Sequence, residues 1–320
     1  MLKDNWLERQ LATVRELITE GSKAVRSNKL VGAEKQFREA EIILDSAENI
    51  TDAVLELRSV VNNEMGVIAT RTNDADKAIR YHKAAVDTLI ELQKQSDKDI
   101  TSRLAGSRLN LGGIYAAVGR VNEAEQENQA ALELLAGRDD DGSRLMRIGC
   151  RQNLGTLLFS RGRKDEGFAT FSAVEDDVNQ LAEHGSDDVR FSLVQMLINS
   201  AVARLRVDAA DQAVKPAELA ASLAIALYEK AHNTNTLNQV LNSQMNLLNV
   251  HQQAGSFASA ENALFRVLDT VPGHPEVIKR GQEFYTAILA LDDAKLEAGG
   301  LPRDEAEESF EELNGMLAKA

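Results

Sequence analysis

The sequence predicts an all-α chain, a solenoid of about seven antiparallel helix pairs in one continuous domain, 1–320. Three observations predict it. One repeat phase recurs every 43 to 47 positions, with anchors at Gly21, Gly66, Gly112, Gly155, Ala201 and Leu248. Twelve residues after each stands Ala33, Ala78, Ala124, Gly167, Ala213 or Ala260, and nineteen after each stands Ala40, Ala85, Ala131, Val174, Ala220 or Val267. Residues of this size at a fixed beat let paired helices approach closely where they cross. The third observation is compositional: 43% hydrophobic but only 4% aromatic residues, with four prolines in 320 positions. That suits helix packing by Ala, Leu and Val rather than a strand-rich core.

The clearest unit is 105–135, AGSRLNLGGIYAAVGRVNEAEQENQAALELL. Gly112 and Ala124 leave room at the helix crossing, Tyr115 fills the space between the helices, and Gly119 makes the turn. Taken in order, the units are expected at about 2–46, 52–94, 100–136, 143–183, 188–231, 236–270 and 275–319. The first pairs a helix to Ser27 with one from Val31. The second turns at Asn73-Asp74, with Asp52 as its expected N-cap. The polar loop Gly137 to Gly142 precedes the fourth unit, whose second helix is expected over 164–183. The loop Glu183 to Asp187 precedes the fifth, and Asn233-Thr-Asn-Thr236 opens the sixth. Val271-Pro-Gly-His-Pro275 is the strongest breaker, with Pro275 placed for a first helical turn. A further step of 46 lands on Ala294, followed by Leu301, Ala306 and Leu313, and predicts a degenerate last pair over 275–298 and 303–319. End helices of an array need a polar outer face. Glu307, Glu308, Glu311 and Glu312 supply one at the C-terminal end, opposite Phe310, Leu313 and Leu317, while Trp6 and Leu7 are placed to seal the other end.

The small residue, aromatic, turn glycine and two alanines of 105–135 resemble a tetratricopeptide repeat. Each unit exceeds the common 34-residue repeat by about a dozen residues, which is similar to the kinesin-light-chain branch. The resemblance implies a right-handed superhelix whose first helices line a concave, protein-binding face. Two residues before four consecutive anchors stand Asn110, Asn153, Asn199 and Asn246. The same Asn recurs in kinesin-light-chain repeats, in the run Leu-Asn-Asn-Leu-Ala. A carboxamide carries both donor and acceptor, so a ladder of them can bond the backbone of an extended segment. The alternative is that each Asn fixes repeat packing. Five residues after the anchors, Arg26, Arg71 and Arg206 suit acidic side chains or a carboxylate; the alternative is pairing with the chain's surplus Asp and Glu. The carboxylate clamp of chaperone-tail-binding relatives needs Lys three residues before an anchor. Those positions hold Ile18, Asn63, Leu109, Gln152, Ile198 and Met245, so that activity is disfavoured.

The chain lacks the long heptads that attach a eukaryotic light chain to its heavy chain. A bare array resembles instead the bacterial kinesin-light-chain-like proteins that accompany bacterial tubulins. This implies binding and stabilising bacterial tubulin filaments. The alternative is an adaptor or peptide-sensing regulator that recognises an extended peptide.

A net charge of −14 argues against a general grip on nucleic acid or an anionic membrane, both held by excess positive charge. No signal-peptide core or spanning apolar stretch is present. The single cysteine excludes an intramolecular disulfide and suits a reducing cytoplasm. The five histidines have no metal-ligand spacing to one another or to Cys150, and Asp139-Asp-Asp-Gly142 lacks the closing Glu of a calcium loop. No GxxxxGK[ST], GxGxxG or GxSxG occurs. Cys150, beside Gly149 on a first helix, reads as a buried small residue. The expectation is a non-enzymatic protein without cofactor or metal.

Overall fold

The computed structural model describes residues 2–317, with side chains described from 7 to 316. All regular structure among them is helical. The chain forms two compact units, Met1–Val174 and Glu175–Ala320. The first holds α1 (Leu2–Arg26), α2 (Leu30–Asp45), α3 (Asp52–Arg71), α4 (Ala75–Gln95), α5 (Thr101–Ala117), α6 (Val121–Leu134), α7 (Asp141–Ser160) and α8 (Lys164–Ser172). The second holds α9 (Glu175–His184), α10 (Asp187–Leu205), α11 (Ala210–Ala231), α12 (Thr234–Gln253), α13 (Phe257–Thr270), α14 (Pro275–Leu289), α15 (Asp293–Ala298) and α16 (Arg303–Leu317). Each first helix packs on its partner: α1 on α2, α3 on α4, α5 on α6 and α7 on α8, then α10 on α11, α12 on α13 and α14 on α16.

The repeat beat has a direct structural cause. Seven residues after each of the six anchors the backbone enters the left-handed region, at Asn28, Asn73, Gly119, Gly162, Asp208 and Gly255, with φ between 55° and 76°. Glycine, asparagine and aspartate are the residues that tolerate this conformation, so one chain reversal recurs six times. At the crossing, the residue sixteen positions on lies against the anchor. A Cβ on Gly21 would stand 2.7 Å from Phe37, on Gly66 2.6 Å from His82, on Gly112 2.4 Å from Asn128 and on Gly155 2.6 Å from Phe171. The fifth repeat uses Ala201 and Ala217 at these places and the sixth Leu248 and Leu264, all fully buried. In the first five repeats the anchor and its partner thus trade volume, as a close-packed interior requires, whereas the sixth places two leucines there.

Side-chain caps start many helices: Thr51, Asp74, Asp140, Ser186 and Asp292 each accept a backbone N–H of the first turn, and Asn233 forms a capping box with Thr236. The cap of α3 is therefore Thr51, and Asp52 is its first helical residue, where its carboxylate suits the positive end of the helix dipole. Pro275 opens α14 as expected.

Two predicted helices are interrupted. The expected helix 164–183 breaks into α8 and α9 at Ala173-Val174. Glu175, Asp176 and Asp177 fill the first turn of α9, where three carboxylates are favourable; mid-helix they would only repel. The expected helix 275–298 ends at Leu289, and Asp292 caps the short α15. Ala294 is consequently exposed rather than an anchor. Its role falls to Gly281, whose Cβ would meet Leu313 at 2.7 Å and Leu264 at 2.8 Å, and the left-handed residue is Gly300. Ala306 and Leu313 are fully buried. The outer face of α16 is as expected: Glu307, Glu308, Glu311 and Glu312 are exposed, while Phe310 stacks on Tyr285 at 5.5 Å. Leu7 packs on the N-terminal core around Leu11, Val14 and Phe37. The side chains of Trp6 and Leu317 lie outside those described.

Candidate protein-binding face

In the second unit α10 lies beside α12, and both present a stripe at the same four offsets from their anchors. On α10 the stripe reads Gln195, Asn199, Val202 and Arg206; on α12 it reads Asn242, Asn246, Asn249 and Gln253. Steps of four, three and four keep each set on one side of its helix. Gln195, Asn199, Arg206, Asn242 and Gln253 are exposed, and Val202, Asn246 and Asn249 are half-buried. The stripe holds six carboxamides and one cation, without a carboxylate, in a chain of net charge −14.

These amides hold one another in place while keeping capacity to spare. Gln195 donates to Asn199 Oδ1 at 3.1 Å, and Gln253 donates to Asn249 Oδ1 at 3.2 Å. The Arg280 guanidinium of α14 reaches the same Asn249 oxygen at 3.5 Å and pairs with Glu283 at 3.0 Å. Among the described residues none donates to Asn246 Oδ1, which is shielded from water. An acceptor in that condition costs about 1–3 kcal/mol.

The first unit treats its asparagines differently. Asn110 donates to Asn63 Oδ1 of α3 at 3.0 Å, and Asn153 donates to Asn128 Oδ1 of α6 at 3.0 Å. Asn128 is fully buried, donates to the Ala124 carbonyl at 2.7 Å and fills the space above Gly112. Asn110 and Asn153 are half-buried and tie neighbouring helices together. The arginines also divide. Arg71 donates to the Val25 carbonyl at 2.8 Å, closing the C-terminal end of α1. Arg26 is exposed, and both arginines lie near Glu64, which accepts from Ser22 at 3.4 Å. Burial raises the Glu64 carboxyl above its ordinary value, against the pull of the Ser22 hydroxyl and the two guanidinium groups. Arg206 stands exposed at the end of α10, beside the second unit's carboxamides.

The structure therefore brings Asn199, Asn246 and Arg206 together with Gln195, Asn242, Asn249, Gln253 and Arg280, which the sequence reading missed. Extending the single offset at Asn199 and Asn246 along its helical stripe would have found all but Arg280. Cys150 is fully buried, and burial pushes its thiol up to about 12, far from a nucleophile's range. Among the described residues no cluster of three His, Cys, Asp or Glu could hold a metal ion, and no helix is long and apolar enough to cross a membrane.

Residues 191–318, which contain this stripe, match the sequence model of a family of unknown function, DUF6483. No curated protein matches the chain in sequence. Its structure is similar to the apo form of RapI, at 12% identity over 89% of this chain and 83% of that one, with a TM-score of 0.51. It is also similar to BtubC (BKLC) from P. vanneervenii, at 19% identity over 82% and 89% of the two chains, with a TM-score of 0.48. A Rap protein complexed with competence and sporulation factor matches at 13% identity over 97% and 99%, with a TM-score of 0.48. The helix pairs, their recurring left-handed turns and the RapI likeness over most of both chains give the protein the fold of the tetratricopeptide-like helical solenoids.

Proposed function

We propose that the chain is a non-enzymatic scaffold that binds an extended protein segment along α10 and α12. The observation that carries this reading is the carboxamide stripe, whose Gln195, Asn199, Asn242 and Gln253 are exposed at matching offsets of α10 and α12. An extended backbone presents N–H and C=O groups in alternation, and rows of Asn and Gln offer the matching acceptors and donors. Such bonds ask little of the partner's side chains, so sequence choice falls to half-buried neighbours such as Met245 and Val202.

The specific partner we propose is a bacterial tubulin filament, which the chain would stabilise by holding an extended segment of its subunits. The support is the resemblance of the long repeats and their asparagines to kinesin-light-chain repeats. Sedimentation with polymerised bacterial tubulin tests it. The wild-type chain is expected in the pellet at micromolar concentration, and Asn199→Ala with Asn246→Ala in the supernatant. Wild-type chain left in the supernatant removes the filament as partner and leaves the adaptor or peptide-sensing reading, in which the same stripe takes a free peptide.

A further inference from the structure

The first unit contains a cavity of about 450 Å³ between α6, α7 and α8, on residues the proposed function does not use. Its size falls within the roughly 300–1,000 Å³ of small-molecule sites. Leu154, Leu157 and Leu158 of α7 form an apolar floor, and the small side chains of Ala169 and Thr170 on α8 leave the space above it open. Three arginines, Arg151, Arg161 and Arg163, line the same space together with two carboxylates, Glu125 and Glu166, and the Gln129 carboxamide.

Two of the three are already engaged. Arg161 pairs with Glu125 at 2.9 Å and donates to Asn122 at 2.8 Å. Arg163 meets both oxygens of Glu166 at 2.6 Å and holds that carboxyl below its ordinary value. The half-buried Arg151 differs: among the described residues no carboxylate or carbonyl partners its guanidinium. One cation is thus left over beside an apolar floor, although the chain has ample acidic residues to neutralise it. A guanidinium is the side chain best shaped for a bidentate grip on a carboxylate. The lining contains no aromatic ring, so nothing there favours a flat ligand by stacking.

We infer that this cavity binds a linear aliphatic carboxylate, its chain on the three leucines and its carboxylate on Arg151. The site is independent of the α10–α12 face, and its test does not depend on the scaffold reading. Octanoate, octanol and acetate, titrated into the full chain by calorimetry, separate the two halves of the site. Octanoate is expected to bind one to one, at least tenfold tighter than octanol, which lacks the charge, and than acetate, which lacks the chain. Arg151→Gln is expected to weaken octanoate at least tenfold with octanol unchanged. Thr170→Trp, which fills the cavity and leaves every arginine in place, is expected to abolish binding of both; unchanged far-ultraviolet circular dichroism establishes that each variant is folded. Equal affinities for octanoate and octanol, full affinity in Arg151→Gln, binding that survives in Thr170→Trp, or no binding by the wild type each overturn the inference.

Discussion

Gly21→Ala is expected to destabilise the wild-type chain by about 1–3 kcal/mol and to stabilise a Phe37→Ala variant by up to about 1 kcal/mol. The two signs follow from one contact. A methyl on Gly21 would stand 2.7, 2.9 and 3.0 Å from three carbons of the Phe37 ring, which is fully buried and has no space to retreat. Removing the ring alone opens a cavity and costs about 3–5 kcal/mol. Once it is gone the three nearest atoms to the methyl are gone with it, so the methyl refills part of the space and brings the better helix propensity of alanine. The resulting Ala–Ala pair is the one the fifth repeat already uses, at Ala201 and Ala217. Urea unfolding of the wild type, both single variants and the double variant gives the coupling. Additive costs would show that anchor and ring do not share one packing site.

The second large effect concerns pH. His82 occupies in the second repeat the place of Phe37 in the first and Phe171 in the fourth, packed on Gly66. It is 2% exposed and its Nδ1 has no hydrogen-bond partner. Burial lowers its pKa from 6.5 to about 4. The fold therefore favours neutral imidazole, and between pH 6.5 and about 4 the unfolded chain binds the proton more readily. Stability from this group is complete above pH 6.5 and is lost as pH falls through that window, by about 3 kcal/mol in all. His82→Phe keeps the ring and removes the titration. The variant and wild type are expected to differ progressively more in urea midpoint as pH falls from 7 to 4, with the variant more stable in acid. Parallel curves would mean that His82 takes up its proton in the fold as readily as in the unfolded chain.

The repeat was legible because its cause is local: a residue that accepts positive φ and small residues at fixed offsets leave their mark in one sequence. Asn28, Asn73 and Asp208 carry the same turn as Gly119 without being glycine, and the beat is visible through all of them. The volume exchange between anchors and Phe37, His82, Asn128 and Phe171 was equally present in the sequence, at a constant sixteen-residue offset. Other features were not legible. The break at Ala173-Val174 has neither Gly nor Pro and depends on three carboxylates finding a helix start. Counting forward from the sixth anchor led to Ala294, because a repeat count cannot sense that Asp292 caps a new helix. The use of Arg71 on the Val25 carbonyl joins residues far apart in sequence. The same four-asparagine pattern serves two ends: Asn110 and Asn153 bond to partners on other helices, whereas Asn199 and Asn246 belong to a stripe whose remaining members lie at neighbouring offsets. A single column of the repeat alignment could not separate them.

The most direct test of the carboxamide face compares two double variants against one ligand. A peptide selected from a random display library on the full chain is titrated into wild type, Asn199→Ala with Asn246→Ala, and Asn110→Ala with Asn153→Ala. The first pair is expected to weaken binding by about ten- to a hundredfold, since two hydrogen-bonding groups contribute about 0.5–1.5 kcal/mol each. The second pair is expected to lower the urea midpoint while leaving affinity within about threefold of wild type. Full affinity in the first pair, or its loss in the second alone, would contradict the assignment of binding to α10 and α12.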